Sequence, residues 1–309
     1  MTGQRPRLLV VWNPRAGSRA GLPTNRAGED DLRRAMDEHG LDGELCAPDS
    51  ELEAIERVRQ AVSDGYDTVV AAGGDGTVGT VAAQLLGART ALGILPLGSA
   101  MNVARSLGIP RDLADAAGII ASGQRRRIDV GFASDGSMFL EVASVGLSAR
   151  MFGEAHRVDD GEYRSLLDLV RTVATFRHHR IELELDQRTV THRAVMVAVA
   201  NAPYTGLGLT MAPDASLDDG LFDVVVYGRF RHSELVRHLL GILGGRVRWS
   251  PKMTTYRAAR VRILARHPLP VRADDRGLGS TPAEFVVRPA ALTVIAPAGG
   301  QGPVAPPPR

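Results

Sequence analysis

Lysine is almost absent from this sequence. Lys252 is the one lysine among 37 basic residues, and the rest are arginine. A phosphate loop of the G-x-x-x-x-G-K-[ST] type needs a lysine at its end and is excluded. Any bound phosphate must therefore be held by backbone N–H groups, arginine or a metal ion. Cysteine is equally scarce. The single Cys46 forbids a disulfide within the chain, rules out a cysteine-built zinc site, and fits a reducing, cytoplasmic setting. No stretch reaches 18 consecutive apolar residues, so no membrane-spanning helix is expected. The basic start, Met1–Arg7, is followed by an apolar run, Leu8–Trp12, too short for a signal-peptide core. Formal net charge is only +2. A pI near 9.0 permits contact with anionic surfaces, and no nucleic-acid partner is expected.

What is present is a change of texture along the chain. The 309 residues suggest two domains. In the first part, buried strands alternate with helices: strand Arg7–Trp12, helix Asn25–His39, strand Glu44–Cys46, helix Glu51–Ser63, strand Asp67–Ala72, a helix to Leu86, and strand Ala91–Leu95. Helix Glu51–Ser63 is read with Leu52, Ile55, Val58 and Val62 on its apolar face. Strands apolar throughout and separated by helices imply a parallel sheet covered on both faces. Beyond about Val130 strands dominate: Met138–Ser144, Arg180–Asp186, Ala194–Asn201, Phe222–Tyr227, Thr255–Ile263, Pro270–Ala273, Glu284–Arg288 and Ala291–Ile295. Two helices interrupt them, Tyr163–Phe176 and His232–Leu243. The fold expected is α/β for 1–131 and a β-sandwich for 132–296, with a disordered Pro- and Gly-rich tail over 297–309.

Three glycine-bearing turns follow three strands of the first part. The strongest is Gly73-Gly74-Asp75-Gly76-Thr77, between a strand and a helix. Its glycines allow a phosphate to approach the backbone, and the helix offers free N–H groups and the positive end of its dipole. Asp75 would repel phosphate unless it holds Mg²⁺ or a ribose hydroxyl. Pro96-Leu97-Gly98-Ser99 and Asn13–Gly17 repeat the arrangement at two other strand ends, the side where open α/β sheets bind ligands. In the second part, the carboxylates of Pro213–Leu221 suit a hard cation, although a solvated acidic turn is the simpler reading. Asp274-Asp275-Arg276-Gly277 is a turn whose carboxylates could serve as a general base or metal ligand. His178-His179, between Arg177 and Arg180, reads as helix-end charge compensation rather than a metal site. No G-x-S-x-G elbow supports hydrolase chemistry.

In order, these motifs resemble the diacylglycerol-kinase-like lipid kinases, which are distantly related to NAD kinases. The resemblance covers about residues 6–296. It adds Ala104–Pro110, Ile128-Asp129-Val130-Gly131, Asn201-Ala202-Pro203-Tyr204, Ala212–Asp223, Thr281-Pro282 and Val294–Pro297 to the turns above. It implies an NAD-kinase-like ATP domain and a β-sandwich domain, with the last strand returning to the first. Carried over, Asn13, Pro14, Arg15, Ala16, Gly17, Gly73, Gly74, Asp75, Gly76, Thr77, Val78, Gly79, Gly98 and Ser99 would line the ATP site. Ser216 and Leu221, through their carbonyls, and Asp219, through its carboxylate, would hold a structural Mg²⁺. Asp274, with Arg276 and Asp75, would form the catalytic group.

The resemblance implies a phosphotransferase with an alcohol acceptor. It would use ATP and Mg²⁺, act on a lipid at the membrane surface, and be cytoplasmic and peripheral; a homodimer is compatible. Departures from the family pattern stand at Gly79-Thr80 (for Asn-Glu), Met101-Asn102 (for Asn-Asp) and Asp275-Arg276 (for Gly-Glu). They keep two alternatives open: a weakened nucleotide-binding regulator, and a kinase for a soluble hydroxyl.

Overall fold

The computed structural model describes residues 7–16, 18–19, 22–23, 27–151, 176–206, 208–243 and 252–298. The chain divides into two compact units. Residues up to Ile128, together with the segment from Ala290, form one; Asp129–Pro289 form the other.

The first unit runs β1 (Leu8–Trp12), a short hairpin of β2 (Ser18–Arg19) and β3 (Leu22–Pro23), α1 (Glu29–Glu38), β4 (Gly43–Cys46), α2 (Glu51–Ser63), β5 (Thr68–Gly73), α3 (Asp75–Leu85), β6 (Ala91–Pro96), α4 (Asn102–Ser106) and α5 (Leu113–Ser122), and then enters β7 (Gln124–Ala133). Strands β4, β1, β5 and β6 pair in that order, all parallel. Every residue of β5 and β6 is buried, because α2 and α3 pack together while α5 lies on β6 and against α1, covering both faces. Val78, Val81, Ala82 and Leu85 form the buried stripe of α3, at the spacing of one helix face. Ser50 caps α2 by accepting the Glu53 N–H (3.2 Å), and Asp112 caps α5 through the Asp115 N–H (3.0 Å).

Two expectations in this unit need correction. The first helix starts at Glu29, where the Asp31 carboxylate accepts the Gly28 N–H (3.0 Å), and not at Asn25; residues 24–26 lie outside the described residues. On α2, Val58 and Ala61 are buried, whereas Leu52 is 73% exposed.

The second unit continues with β8 (Met138–Phe139), β9 (Val142–Gly146), β10 (His179–Leu185), β11 (Arg188–Ala194), β12 (Met196–Ala200), a small hairpin of β13 (Tyr204–Thr205) and β14 (Leu209–Thr210), β15 (Phe222–Tyr227), α6 (His232–Leu243), β16 (Met253–Ala258), β17 (Arg260–Ala265), β18 (Pro270–Ala273), β19 (Arg276–Ser280) and β20 (Ala283–Ala296). One antiparallel layer runs β11-β10-β17-β20 and the other β16-β15-β12-β9-β18-β19. Phe139, Ile181, Leu183, Val197, Val199, Val224 and Phe285 fill the core between them, as in a sandwich. Strand β10 alternates as a half-covered strand should: Ile181, Leu183 and Leu185 point in, Arg180 and Glu182 point out. Strands β12 and β15 are buried throughout, because a second apolar cluster with Phe230 and Leu235 covers their outer face.

The expected α/β plus sandwich class is what the chain adopts, with several strand limits revised. Met138–Ser144 breaks at Leu140-Glu141, whose N–H groups go to Asp274. Thr255–Ile263 breaks at Ala259, where the chain passes from one layer to the other. The Asp186 carboxylate holds that corner by accepting the N–H groups of Ala259 (3.2 Å) and Arg260 (2.8 Å). Glu284–Arg288 and Ala291–Ile295 are one strand, β20, which passes through Pro289 and Ala290 (φ 51°). Its later part pairs parallel to β6, Val294 opposite Leu92. Strands β11 and β19 were not anticipated. Residues 163–175 of the helix Tyr163–Phe176 and the tail from 299 lie outside the described residues, and Phe176 itself is not helical.

Candidate functional site

Because β1, β5 and β6 are parallel neighbours, the turns that leave them share one edge of the first unit's sheet. Polar side chains tie these turns to each other. The Asn13 N–H donates to the Ala72 carbonyl (2.9 Å). Its Nδ2 donates to Thr77 Oγ1 (3.3 Å), and its Oδ1 accepts the Arg15 N–H (3.0 Å). Leu97 N–H donates to the Gly73 carbonyl (3.0 Å). The two glycine turns touch backbone to backbone: a Cβ on Gly98 would lie 2.7 Å from Gly74 Cα and 2.7 Å from Met101 Sδ. A Cβ on Gly73 would strike the Thr77 side chain at 2.4 Å. Gly76 and Gly79 differ, since a Cβ there would meet nothing within 4 Å. The fold's packing does not demand glycine at these two positions. Gly76 lies in the first turn of α3, where N–H groups lack helical partners, and Gly79 lies one turn further on, past the first helical bond from Val78 N–H to the Gly74 carbonyl.

Asp75 has a structural task. Its carboxylate accepts the Val103 N–H (3.2 Å), and burial pushes its pKa up against the pull of the Val103, Asn102 and Met101 amides. It thus ties the start of α3 to the start of α4. Met101 sits at that start in the left-handed region (φ 53°, ψ 48°), 1% exposed, and its Sδ accepts the Gly98 N–H (3.1 Å). Asparagine tolerates this conformation far better than methionine does, which gives a backbone reason for the usual family residue. Of the other expected residues, Pro14 and Arg15 are exposed, Val78 turns its side chain into the core, and Gly17 lies outside the described residues.

Sequence reasoning missed Arg111. Its Nη2 donates to the carbonyls of Gly98 (3.1 Å) and Ser99 (2.7 Å), so a guanidinium underpins the second glycine turn. Its place directly after Gly108-Ile109-Pro110 was the available signal.

In the second unit Asp274 follows β18 in the left-handed region (φ 47°). Its carboxylate accepts three N–H groups: Leu140 on Oδ2 (2.8 Å), and Glu141 (3.0 Å) and Val142 (3.1 Å) on Oδ1. Burial pushes its pKa up to about 7, against the pull of these three amides. Arg276 is exposed opposite Ala273 on the returning strand.

The acidic turn is braced from below. Asp129, 2% exposed, accepts the Gly220 N–H (2.6 Å) and donates its own N–H to the Leu217 carbonyl (2.6 Å). Asn201 Nδ2 donates to the carbonyls of Asp129 and Leu140 (both 3.1 Å). Ser216 Oγ donates to Asp218 (2.6 Å). Asp219 does not fit a divalent cation as arranged. Its Oδ1 accepts the Leu221 N–H (3.0 Å), and its Oδ2 is ion-paired with Arg257. Arg257 sits opposite Asp223 on the neighbouring strand, with Nε 3.9 Å from the Asp223 carboxylate, whose pKa burial raises. Both Asp219 oxygens are thus engaged, and no group of three or more His, Cys, Asp or Glu suited to a metal occurs among the described residues.

Residues 7–133 match the diacylglycerol kinase catalytic domain, and residues 141–296 match the YegS C-terminal NAD kinase beta sandwich-like domain. The chain belongs to the diacylglycerol-kinase-like lipid kinase family. Among its relatives is a protein of Klebsiella pneumoniae (strain 342) named "Probable lipid kinase YegS-like", 28% identical over 274 residues, 86% of this chain and 91% of that one. The diacylglycerol kinase of Bacillus subtilis (strain 168) is 27% identical over 286 residues, 91% and 93% of the two chains. A crystal structure of a diacylglycerol kinase from Bacillus anthracis str. Sterne superposes with a TM-score of 0.69 over 96% of this chain and 98% of that one. At 22% identity that likeness speaks for the fold. Family membership makes this lipid-kinase family chain a phosphotransferase by descent, and among the described residues no helix is long and apolar enough to cross a membrane.

Proposed function

We propose that the chain transfers the γ-phosphoryl group of ATP to the hydroxyl of a lipid acceptor, diacylglycerol-like or sphingoid-like, with MgATP as the substrate form. The observation that carries this reading is the open glycine edge of α3. Gly76 and Gly79 face free space beside three tied turns, so a ligand, not packing, explains the glycines. First-turn N–H groups of α3 would receive phosphate oxygens. Arg111, and Arg15 beside Asn13, would neutralise their charge with planar, bidentate donors. Asp75 would act as a positioning residue that ties the start of α3 to the start of α4. Asp274, ionised above about pH 7, would accept the acceptor's hydroxyl proton as its oxygen bonds to the γ-phosphorus and ADP leaves. Positioning and charge neutralisation supply most of the acceleration in such transfers.

A second reading is a nucleotide-binding protein with weak transfer. It is favoured by the three amides on Asp274, since a carboxylate so engaged is a poorer base. Incubating the protein with γ-labelled MgATP, a mixed lipid extract and soluble alcohols separates the two. Label in a lipid product is expected. Label only in a soluble alcohol would replace the lipid acceptor, and tight nucleotide binding without label in any acceptor would leave the second reading.

A further inference from the structure

A recess of about 470 Å³ on the second unit is lined by His178, Arg180, Thr191, His192, Arg193 and Arg229. Arg180 and Arg193 stand directly opposite each other on β10 and β11, a like-charge cross-strand pair that weakens the sheet. Glu182 shares their outward face, one step along β10. Among the described residues no carboxylate is ion-paired with Arg180, Arg193 or Arg229. The two histidines cannot relieve the charge. His178 Nε2 is engaged with the Phe230 carbonyl (3.0 Å) and His192 Nε2 with the Tyr256 hydroxyl (2.7 Å). Burial first, then the fields of Arg193, His232 and Arg229, holds the His178 pKa below its ordinary value.

Charge on β11 has a simpler explanation, because β11 is the outer strand of its layer and charged edges block strand addition from another chain. Edge protection accounts for Arg193. It does not account for Arg229, which arrives from the loop after β15, or for Arg180 on the inner neighbour β10. Three arginines line one concavity, and planar guanidinium donors suit the oxygens of a phosphate.

We propose that this recess is a binding site for a phosphate group, carried by a soluble phosphomonoester or by the headgroup of an anionic phospholipid. The site lies wholly within the second unit and stands or falls independently of phosphoryl transfer. The test uses the full chain and an Arg180→Gln/Arg193→Gln double variant. Inorganic phosphate and glycerol 3-phosphate are titrated at ionic strength held constant with chloride, with melting temperature as the readout. Near ten times Kd the parent's Tm should rise by about 3 °C, and the double variant's should not move. Without phosphate the double variant should melt no lower than the parent, since the like-charge contact is gone. Sedimentation with phosphatidylcholine vesicles, with and without phosphatidic acid, identifies the source. Parent-specific capture by phosphatidic acid vesicles assigns a lipid headgroup; phosphate-dependent stabilisation without capture assigns a soluble ligand. The proposal is overturned if the parent shows neither phosphate-dependent stabilisation nor capture, whether or not the variant aggregates, or if the folded variant responds to both probes as the parent does; either result would leave edge protection as the arginines' role.

Discussion

In the first unit the tied glycine turns leave space open at the start of α3; in the second, carboxylates gather the backbone amides that the strands leave unpaired. Asn13, Thr77 and Asp75 are engaged with neighbouring turns, and the start of α3 faces free space at Gly76. Across the sandwich, Asp274 gathers three N–H groups, Asp186 two, and Asp129 one. Layer changes and broken strands leave amides unpaired in a β-fold, and a buried amide must find an acceptor. An aspartate in this sandwich is thus a structural staple unless shown otherwise, whereas a glycine on the sheet edge is the functional suspect. That reverses the usual weighting, in which carboxylates draw attention first.

The largest expected effect tests whether Asp274 is more than a staple. Asp274→Asn removes basicity and should lower turnover by about 10²–10⁴-fold if the carboxylate accepts a proton. It also turns one oxygen into an NH₂ that faces an N–H donor, so the fold weakens by roughly 1–3 kcal/mol. The pH dependence distinguishes the two roles. With a folded pKa raised to about 7, the protonated group's contribution to stability is complete below the unfolded carboxylate range and is lost as pH rises toward 7. Subtracting the variant's stability profile from the parent's should leave that falling slope. A flat difference together with unchanged turnover would make Asp274 a staple alone.

Next is Gly76→Val, which sharpens the other side of the comparison. No atom opposes the new side chain, and valine is no worse than glycine in a helix, so melting should hold. ATP affinity should fall by about tenfold or more as the side chain fills the approach to the α3 amides. Retained affinity, measured by calorimetry, would remove Gly76 from the nucleotide site. Gly98→Val is the control in the opposite sense: it collides with Gly74 and Met101 and should lose stability by roughly 1–3 kcal/mol.

Third in size is Arg257→Gln. It leaves Asp219 and the buried Asp223 without their cation and should cost about 1–2 kcal/mol. The parent should melt at the same temperature with Mg²⁺ or a chelator. The variant should gain stability from Mg²⁺, because the vacated carboxylates then resemble an oxygen-ligand site. A parent stabilised by Mg²⁺ would restore the expected role of Asp219 as a metal ligand.

These contrasts track what could be read in the sequence. Local pattern exposed β5, β6 and the helix that follows the first glycine turn, because each signal sits within a dozen residues. The three glycine turns were legible for the same reason. Asp274 was noticed as an acidic turn, but its partners lie more than 130 residues away, and no local pattern announces them. The breaks at Leu140-Glu141 and Ala259 were invisible too, since their cause is a distant aspartate. Arg257 could not be linked to Asp219 before the β15–β16 register was known.

The smallest expected effect concerns Met101, an apolar side chain buried beside the tied turns. Met101→Asn restores the usual family residue. A left-handed backbone costs an ordinary residue roughly 1–2 kcal/mol, and asparagine much of that less. Against this gain, the buried methionine's apolar burial, worth about 1.5–3 kcal/mol, is lost, and the new amide must find partners. One is ready: the Gly98 N–H now on Sδ can go to the asparagine oxygen, a better acceptor. The terms nearly cancel, so chemical denaturation should place the variant within about 1 kcal/mol of the parent. Activity is the informative readout. If the asparagine amide reaches a phosphate, transfer should rise several-fold with stability unchanged, and the methionine marks a weakened kinase. If the variant is as stable as the parent and no faster, residue 101 serves only the turn, and the apolar side chain is simply this chain's way of filling a left-handed slot.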